Sequence, residues 1–213
     1  MPTPSLQLLH SPLLWRGDQL ARTRAIIPTD FSSLDHQLPG GGWPLDAITE
    51  VMLDQPGIGE MQLFFPALTR LLKEGKKLVI VAPPYLPYPP AFRWHGLDLS
   101  QVIFIHAADQ KNNLWAFEQA LNNAFCGAAF IWLSALEDKA MRRLQLAASK
   151  GNGLAIVFRP ASIGMGSTWA ALRLHLAADD GCLGVHILKR RGGGSPSPMR
   201  LSTAYAVGLP TIS

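Results

Sequence analysis

Short apolar runs alternate with amphipathic segments along the middle of the chain. Uninterrupted apolar runs of this length are typical of strands that are buried on both faces of a parallel sheet. Such runs predict strands at residues 77–82, 102–105 and 128–133, and residues 47–53 and 154–158 are predicted to form further strands. The alternation with helical segments predicts a sheet that is covered by helices.

Three segments between these strands have apolar residues at helical spacing, at 60–73, 114–124 and 136–150. Pro66 falls inside the first of them and removes one backbone hydrogen bond, so we expect a kink there or a later helix start. Residues 172–176 and 184–188 instead alternate between apolar and polar positions, which is typical of antiparallel edge strands. The fold class is therefore α/β: a mostly parallel sheet flanked by helices, with antiparallel strands at the C-terminal edge.

The chain is expected to form an N-terminal arm at 1–27, a core domain at 28–203 and a short tail at 204–213. Prolines interrupt the arm, and its apolar cluster of Leu13, Leu14, Trp15 and Arg16 could pack on the core or on a partner. The apolar fraction of 48% predicts a folded protein, and no apolar run approaches the length of a membrane span. With no secretory signal pattern, we expect a cytoplasmic protein.

Charge and cysteine content exclude little. The net charge of +4 permits weak nucleic-acid contact, but such an excess is common in proteins that bind no DNA. Cys126 and Cys182 lack the paired spacing of metal sites and are expected to be reduced thiols. The six histidines form no metal or catalytic pattern, and no Gly-x-Ser-x-Gly elbow is present.

A proline-rich loop at 83–90 directly follows the second predicted strand. In open α/β sheets the loops after the strands build the ligand site. Five prolines in eight residues stiffen this loop and remove backbone donors, which suits a docking surface with Tyr85 and Tyr88 better than a phosphate site. A plain rigid connector is the alternative interpretation.

Several ordered motifs resemble the RecA family. A Leu-Asp pair at 34–35 and a Gly-rich turn at 38–44 precede a strand, loop and helix where that family has its phosphate loop. The match is narrower with the ImuA family, which is RecA-like and acts in damage-induced translesion synthesis, and the central part is also similar to the cell-division inhibitor SulA. The motifs that carry the ImuA resemblance are at 14–17, 38–44, 57–60, 82–88, 158–160 and 188–193.

The resemblance implies a RecA-like, P-loop NTPase-type fold whose nucleotide chemistry has been lost. A phosphate loop needs inward-facing amides, a lysine and a hydroxyl. Gly57 and Gly59 are present, but Asp54 stands where the first glycine would be, and Glu60 and Met61 replace the lysine and the hydroxyl residue. Leu133 occupies the Walker B aspartate position and Pro83 the position of the water-activating glutamate. We therefore expect no enzyme activity, nucleotide cofactor or catalytic metal, although two carboxylates leave cation binding open.

The densest basic segment is Lys189, Arg190 and Arg191, which resembles the late basic strand of the RecA family. These cations could dock on the nucleotide of a RecA protomer, contact DNA phosphates, or solvate an edge strand.

The resemblance implies a non-catalytic accessory protein of SOS-induced translesion synthesis. Its expected partners are an ImuB-like Y-family protein and an error-prone replicative-type polymerase, with RecA as a further partner and DNA contact weak or indirect. The alternative is a SulA-like inhibitor that binds FtsZ.

Overall fold

The computed structural model describes residues 25–163, 166–194 and 196–202, and within them one large sheet organises the chain. Its eight strands lie in the order β10-β9-β8-β3-β7-β6-β4-β5, and a separate two-stranded sheet pairs β1 with β2. The strands are β1 Ile26–Ile27, β2 Trp43–Pro44, β3 Ile48–Leu53, β4 Lys77–Val81, β5 Val102–Ile105, β6 Cys126–Trp132, β7 Leu154–Pro160, β8 Leu172–Asp179, β9 Cys182–Lys189 and β10 Met199–Leu201. The α-helices are α1 Ser32–Gln37, α2 Phe65–Lys73, α3 Pro89–Trp94, α4 Gln110–Leu121 and α5 Asp138–Gly151.

The sheet is mainly parallel, as the apolar runs predicted. Strands β8, β3, β7, β6, β4 and β5 pair in parallel with their neighbours, whereas β9 runs antiparallel to both β8 and β10. The prediction that β8 is an antiparallel edge strand is wrong for one of its two neighbours. β8 pairs antiparallel with β9, but it lies inside the sheet and pairs in parallel with β3. Its alternating pattern has another cause: its apolar residues face one core while Arg173 and His175 face the opposite side.

Two apolar cores lie on the two faces of the sheet. One packs the sheet against α1, α2 and α3, and the other packs it against α4 and α5. An aromatic cluster fills the first core, where the Phe64 ring centroid lies 4.8 Å from that of Trp43, 5.3 Å from Phe130 and 6.0 Å from Phe158. Burial of these large rings fixes the segment before α2 against the sheet.

Proline positions set the start of two helices. The predicted later start is confirmed, because a 3₁₀ turn covers Glu60–Phe64 and α2 begins at Phe65 with Pro66 in its first turn. The expectation that residues 83–90 form one stiff, polyproline-like loop is wrong for residues 89 and 90, which are helical. Pro89 and Pro90 form the first turn of α3, where a missing N–H costs no helical hydrogen bond.

Strands β8 and β9 have one apolar and one polar face. In β9, Leu183, Val185 and Ile187 are buried in the first core, and the residues between them are only partly buried. Helices α4 and α5 pack over β3, β4 and β6, so the second face of β8 and β9 is left to polar side chains. Among the described residues, no helix is long and apolar enough to cross a membrane.

Ile26–Ile27, which fall in the predicted arm, pair with Trp43–Pro44. The division into arm, core and tail remains a prediction.

Candidate functional site

The loop after β3 folds around one of its own carboxylates. Gly57 and Gly59 have φ angles of +85° and +89°, a conformation that glycine adopts without strain. The Gly57 N–H donates to the Glu60 carboxylate, with N–O distances of 3.2 and 3.1 Å, and Glu60 is only 5% exposed. An inward-facing amide of this kind binds phosphate in a P-loop. Here an internal anion already accepts its hydrogen bond.

The charges around this loop disfavour a phosphate. Two like unit charges about 4 Å apart repel by roughly 4 kcal/mol at an effective dielectric constant of about 20, and Glu60 stands where the attracting lysine would be. Asp54 is directed to the sheet, where its Oδ1 lies 2.8 Å from His175 Nε2 on β8. Met61 is half-buried against the first core. The loop therefore offers no cation to a triphosphate.

The positions of the two other sequence-predicted losses, Leu133 and Pro83, follow β6 and β4 of the same sheet. Leu133 directly follows β6, is 4% exposed and packs in the second core, while its N–H donates to the Phe158 carbonyl at 3.0 Å. Pro83 follows β4 after Ala82, whose φ is +47°. An apolar side chain and a proline supply neither a metal ligand nor a base at these strand ends.

A buried ion cluster joins β3, β7 and β8. The Glu50 carboxylate is fully buried and accepts from Arg159 Nη1 at 2.7 Å and from Arg173 Nε at 2.6 Å. Arg173 also donates from Nη1 to the Gly166 carbonyl at 2.7 Å. Burial raises the pKa of Glu50, but hydrogen bonds from Arg173 and Arg159 outweigh it and hold that pKa below its usual value. The carboxylate is therefore ionised in the folded protein at neutral pH.

Sequence reasoning missed this cluster. Its one local signal was a glutamate in a run of apolar residues, because acidic side chains are almost never fully buried without a partner. The partners themselves lie 109 and 123 residues away along the chain.

The predicted basic segment is tied to its own chain. Lys189 Nζ donates to the Thr168 carbonyl at 2.5 Å, Arg190 donates to the Gln37 and Gly193 carbonyls, and Arg191 contacts Asp46 at 3.3 Å. The three side chains thus do not converge on one point. Lys189 is close enough to the buried ion cluster for the Arg173 and Glu50 charges to act on it.

Lys189 experiences an excess of positive charge. Partial burial lowers its pKa, the neighbouring Arg173 and Arg191 charges lower it further, and Glu50 opposes them. The net pKa lies below the usual lysine value. A nearby anion would therefore be stabilised here.

Comparison with known proteins gives two findings. The family model described as "Cell division inhibitor SulA" matches residues 46–155, just over half of the chain. The chain belongs to the SulA family. It is also 32% identical over 131 residues to Protein ImuA of Caulobacter vibrioides, in strain NA1000/CB15N and in strain ATCC 19089/CIP 103742/CB 15. These matches cover 59% of this chain and 53% of each relative, so the chain spans about half the length of the curated relatives it matches.

The SulA match covers only part of the candidate site. It includes β3 with Glu50, the loop with Glu60, and the elements as far as the start of β7. Arg159, Arg173 and Lys189 lie beyond it. The resemblance to both ImuA and SulA, predicted from the motifs, is confirmed.

Exposed aromatic side chains flank the SulA-family loop. Tyr85 and Tyr88 are 65% and 62% exposed, and the Tyr88 and Trp94 rings contact edge to face at 6.2 Å. The Tyr85 ring lies 3.6 Å from where a Cβ would stand at Gly57. The other predicted partner-binding residues, Leu13, Leu14, Trp15 and Arg16, lie outside the described residues.

Within the described ranges, no group of three or more metal-ligating side chains could hold an ion. Cys126 is buried in the second core and Cys182 is partly exposed, and both are free thiols. The cysteines therefore add no chemistry to the site.

Proposed function

We propose that this chain is a non-catalytic RecA-like accessory protein of SOS-induced translesion DNA synthesis, similar in role to ImuA. It acts by protein-protein interaction in an error-prone polymerase complex. The similarity to Protein ImuA and membership of the SulA family support an SOS-related role. A parallel sheet with a glycine loop between β3 and α2 supports descent from a RecA-like, P-loop core.

One observation carries the non-catalytic part of the proposal. The Glu60 carboxylate accepts the hydrogen bond of the Gly57 amide, so the loop is already complete with an internal anion. A nucleotide would have to displace a buried carboxylate and then bind without a lysine. Leu133 and Pro83 stand where the resemblance implies an aspartate and a glutamate, so the chain has no carboxylate there to bind metal or to activate water.

The partners are an ImuB-like Y-family protein and an error-prone replicative-type polymerase. The surface for at least one of them is the aromatic patch of Tyr85, Tyr88 and Trp94, because large exposed aromatic side chains are enriched at protein interfaces. RecA is a further partner, with Lys189 directed to the nucleotide of a RecA protomer.

The alternative is a SulA-like inhibitor that binds FtsZ. The family match over residues 46–155 favours it, since that stretch includes the loop and the aromatic patch. The two functions differ in partner and can be separated directly.

The test is co-purification of the full chain with an ImuB-like protein and, in parallel, an FtsZ GTPase assay. The proposal expects a stable complex and an unchanged GTPase rate; inhibition of the GTPase without a complex selects the alternative. Tyr88→Ala should weaken the complex, and Trp115→Ala, which removes a 60% exposed ring on α4, is the matched control. Lys189→Glu tests RecA docking, with Lys150→Glu at the end of α5 as its control.

A further inference from the structure

An exposed tryptophan stands beside the cations around Glu50. Trp169 is 52% exposed, and the guanidinium of Arg142 on α5 lies 5.3 Å from its ring centroid. The carbonyl of the preceding residue, Thr168, accepts a hydrogen bond from the Lys189 ammonium group. An exposed ring with an arginine against it and a lysine bonded to the adjacent carbonyl supplies the stacking surface and the phosphate contacts that single-stranded nucleic acids use.

The backbone on both sides of Trp169 is held in place. The Thr168 hydroxyl accepts from the Ala170 N–H at 3.1 Å, and Ala170 is fully buried. Further back, the Gly166 carbonyl accepts from Arg173. A ring presented from an anchored segment loses little conformational entropy when a ligand stacks on it.

Several cations lie along this region. Arg142 contacts the Trp169 ring, Arg159 and Arg173 contact the Glu50 carboxylate, and Lys189 contacts the Thr168 carbonyl. Arg191, whose charge also reaches Lys189, is paired with Asp46. Arg159 Nε has no hydrogen-bond partner in the part of the chain that the structure describes. Partial burial lowers the pKa of Lys189, and the Arg173 and Arg191 charges lower it further against the opposing Glu50 charge. An anion bound here would relieve that repulsion.

We propose that Trp169, Arg142 and Lys189 form a binding site for a single strand of nucleic acid, in which a base stacks on the Trp169 ring and Lys189 and Arg142 contact backbone phosphates. Lysine keeps two further N–H donors after its bond to the Thr168 carbonyl, so it can contact a phosphate without leaving the loop. An acidic peptide would use the cations but would gain nothing from the ring. This site shares Lys189 with the proposed RecA docking but uses no residue of the aromatic patch, and Trp169→Ala tests it without changing Lys189.

The test is fluorescence anisotropy of a labelled oligothymidylate and of the matching oligouridylate, titrated with the full chain at low salt. Binding of at least one strand is expected, and comparison of the two titrations shows whether the site accepts deoxyribose, ribose or both. With two phosphate contacts, the logarithm of affinity should fall with the logarithm of salt with a slope of about −1.4. No binding of either strand would overturn the proposal.

Variants separate stacking from charge. Trp169→Ala should weaken binding by about fivefold to a hundredfold, Trp169→Phe should retain most of it, and Trp115→Ala should leave it unchanged. Lys189→Gln should lower both the affinity and the salt slope. Circular dichroism melts verify that each variant is folded.

Competition experiments test whether double-stranded nucleic acid or an acidic peptide binds at this site instead. A duplex of the same length and polyglutamate should each compete more weakly than the single strand. If Trp169→Ala binds as the wild type does, or if polyglutamate competes as well as oligothymidylate, the site is not one for a single strand.

Discussion

Replacing the buried Glu50 by glutamine should destabilise the protein strongly. The amide keeps the shape of the side chain but removes the charge that compensates Arg159 and Arg173, whose side chains are 12% and 7% exposed. The glutamine oxygen can still accept one guanidinium bond, whereas its NH₂ group would face a second donor. Breaking a buried ion pair from one side costs about 3–5 kcal/mol.

The magnitude is consistent with the two bonds that are lost. Each hydrogen bond between charged groups contributes about 1.5–3 kcal/mol, and a neutral bond at one of the two positions returns about 1 kcal/mol. In a chain of this size, 1 kcal/mol shifts the Tm by about 2–4 °C, so Glu50→Gln should lower the Tm by about 10 °C.

Urea denaturation at pH 7, followed by circular dichroism, measures this loss. The control is Glu118→Gln, which removes a more exposed pair in which Arg143 Nε lies 2.8 Å from the carboxylate. Exposed pairs contribute less than about 1 kcal/mol. A loss for Glu50→Gln that is no larger than that of the control would refute the importance of the cluster.

The same cluster predicts a pH dependence. Because the folded-state pKa of Glu50 is lowered below its ordinary value of 4.5, its contribution is fully present above that value and is lost as the pH falls through the lower folded-state pKa. The difference in unfolding free energy between the wild type and Glu50→Gln should therefore shrink on acidification. A difference that stays constant from pH 7 to strongly acidic conditions would contradict the charge-based explanation.

Three further changes test the loop, the thiols and the core. Gly57→Ala should cost about 1–2 kcal/mol in urea denaturation because its φ of +85° strains any residue with a Cβ. Glu60→Ala should cost about 0.5–1.5 kcal/mol by removing the hydrogen bond that the exposed Gly57 donates. A neutral result for both would mean that the loop is not held by this bond. Burial raises the pKa of the Cys126 thiol to about 12, so a thiol reagent at pH 8 should modify the partly exposed Cys182 first and Cys126 only on unfolding. Phe64→Ala should cost about 3–5 kcal/mol by denaturation because the ring is fully buried among other aromatic rings, and a loss under about 1 kcal/mol would show that the core collapses around the gap.

The periodicity of apolar residues was sufficient for the sheet but not for its edges. The apolar runs predict parallel strands, and β3, β4, β5, β6 and β7 form at those positions. The expectation that residues 102–105 are buried on both faces is wrong, because β5 is an edge strand whose Ile103 and Phe104 are 45% and 47% exposed. The strand β10 has three residues and β1 and β2 have two each, too few for a period to be visible. The alternation in β8 correctly indicated a strand with one apolar and one polar face. Whether a strand is parallel or antiparallel depends on its neighbour in the sheet, and the neighbour here is β3, more than a hundred residues earlier in the chain.

The candidate site divides in the same way. A comparison with a local motif is enough to see that Glu60 and Met61 differ from the residues of a phosphate loop. The hydrogen bond from the Gly57 N–H to Glu60 could not be predicted in this way, because it depends on the conformation of the loop. The environment of Lys189 required three-dimensional contacts, because Thr168 and Arg173 reach it only through the pairing of β8 with β9.

Two regions of the molecule now differ in what they offer to an anion. In the loop after β3, the Glu60 carboxylate accepts the Gly57 amide, so an incoming phosphate competes for that donor and meets a like charge. Beside β8, Arg159 and Arg173 both contact the Glu50 carboxylate, and the pKa of Lys189 is lowered by burial and by the neighbouring Arg173 and Arg191 charges, so an anion there reduces an existing repulsion. A phosphate is therefore disfavoured at the loop after β3, whereas the proposed site beside Trp169 would place it near Lys189 and Arg142.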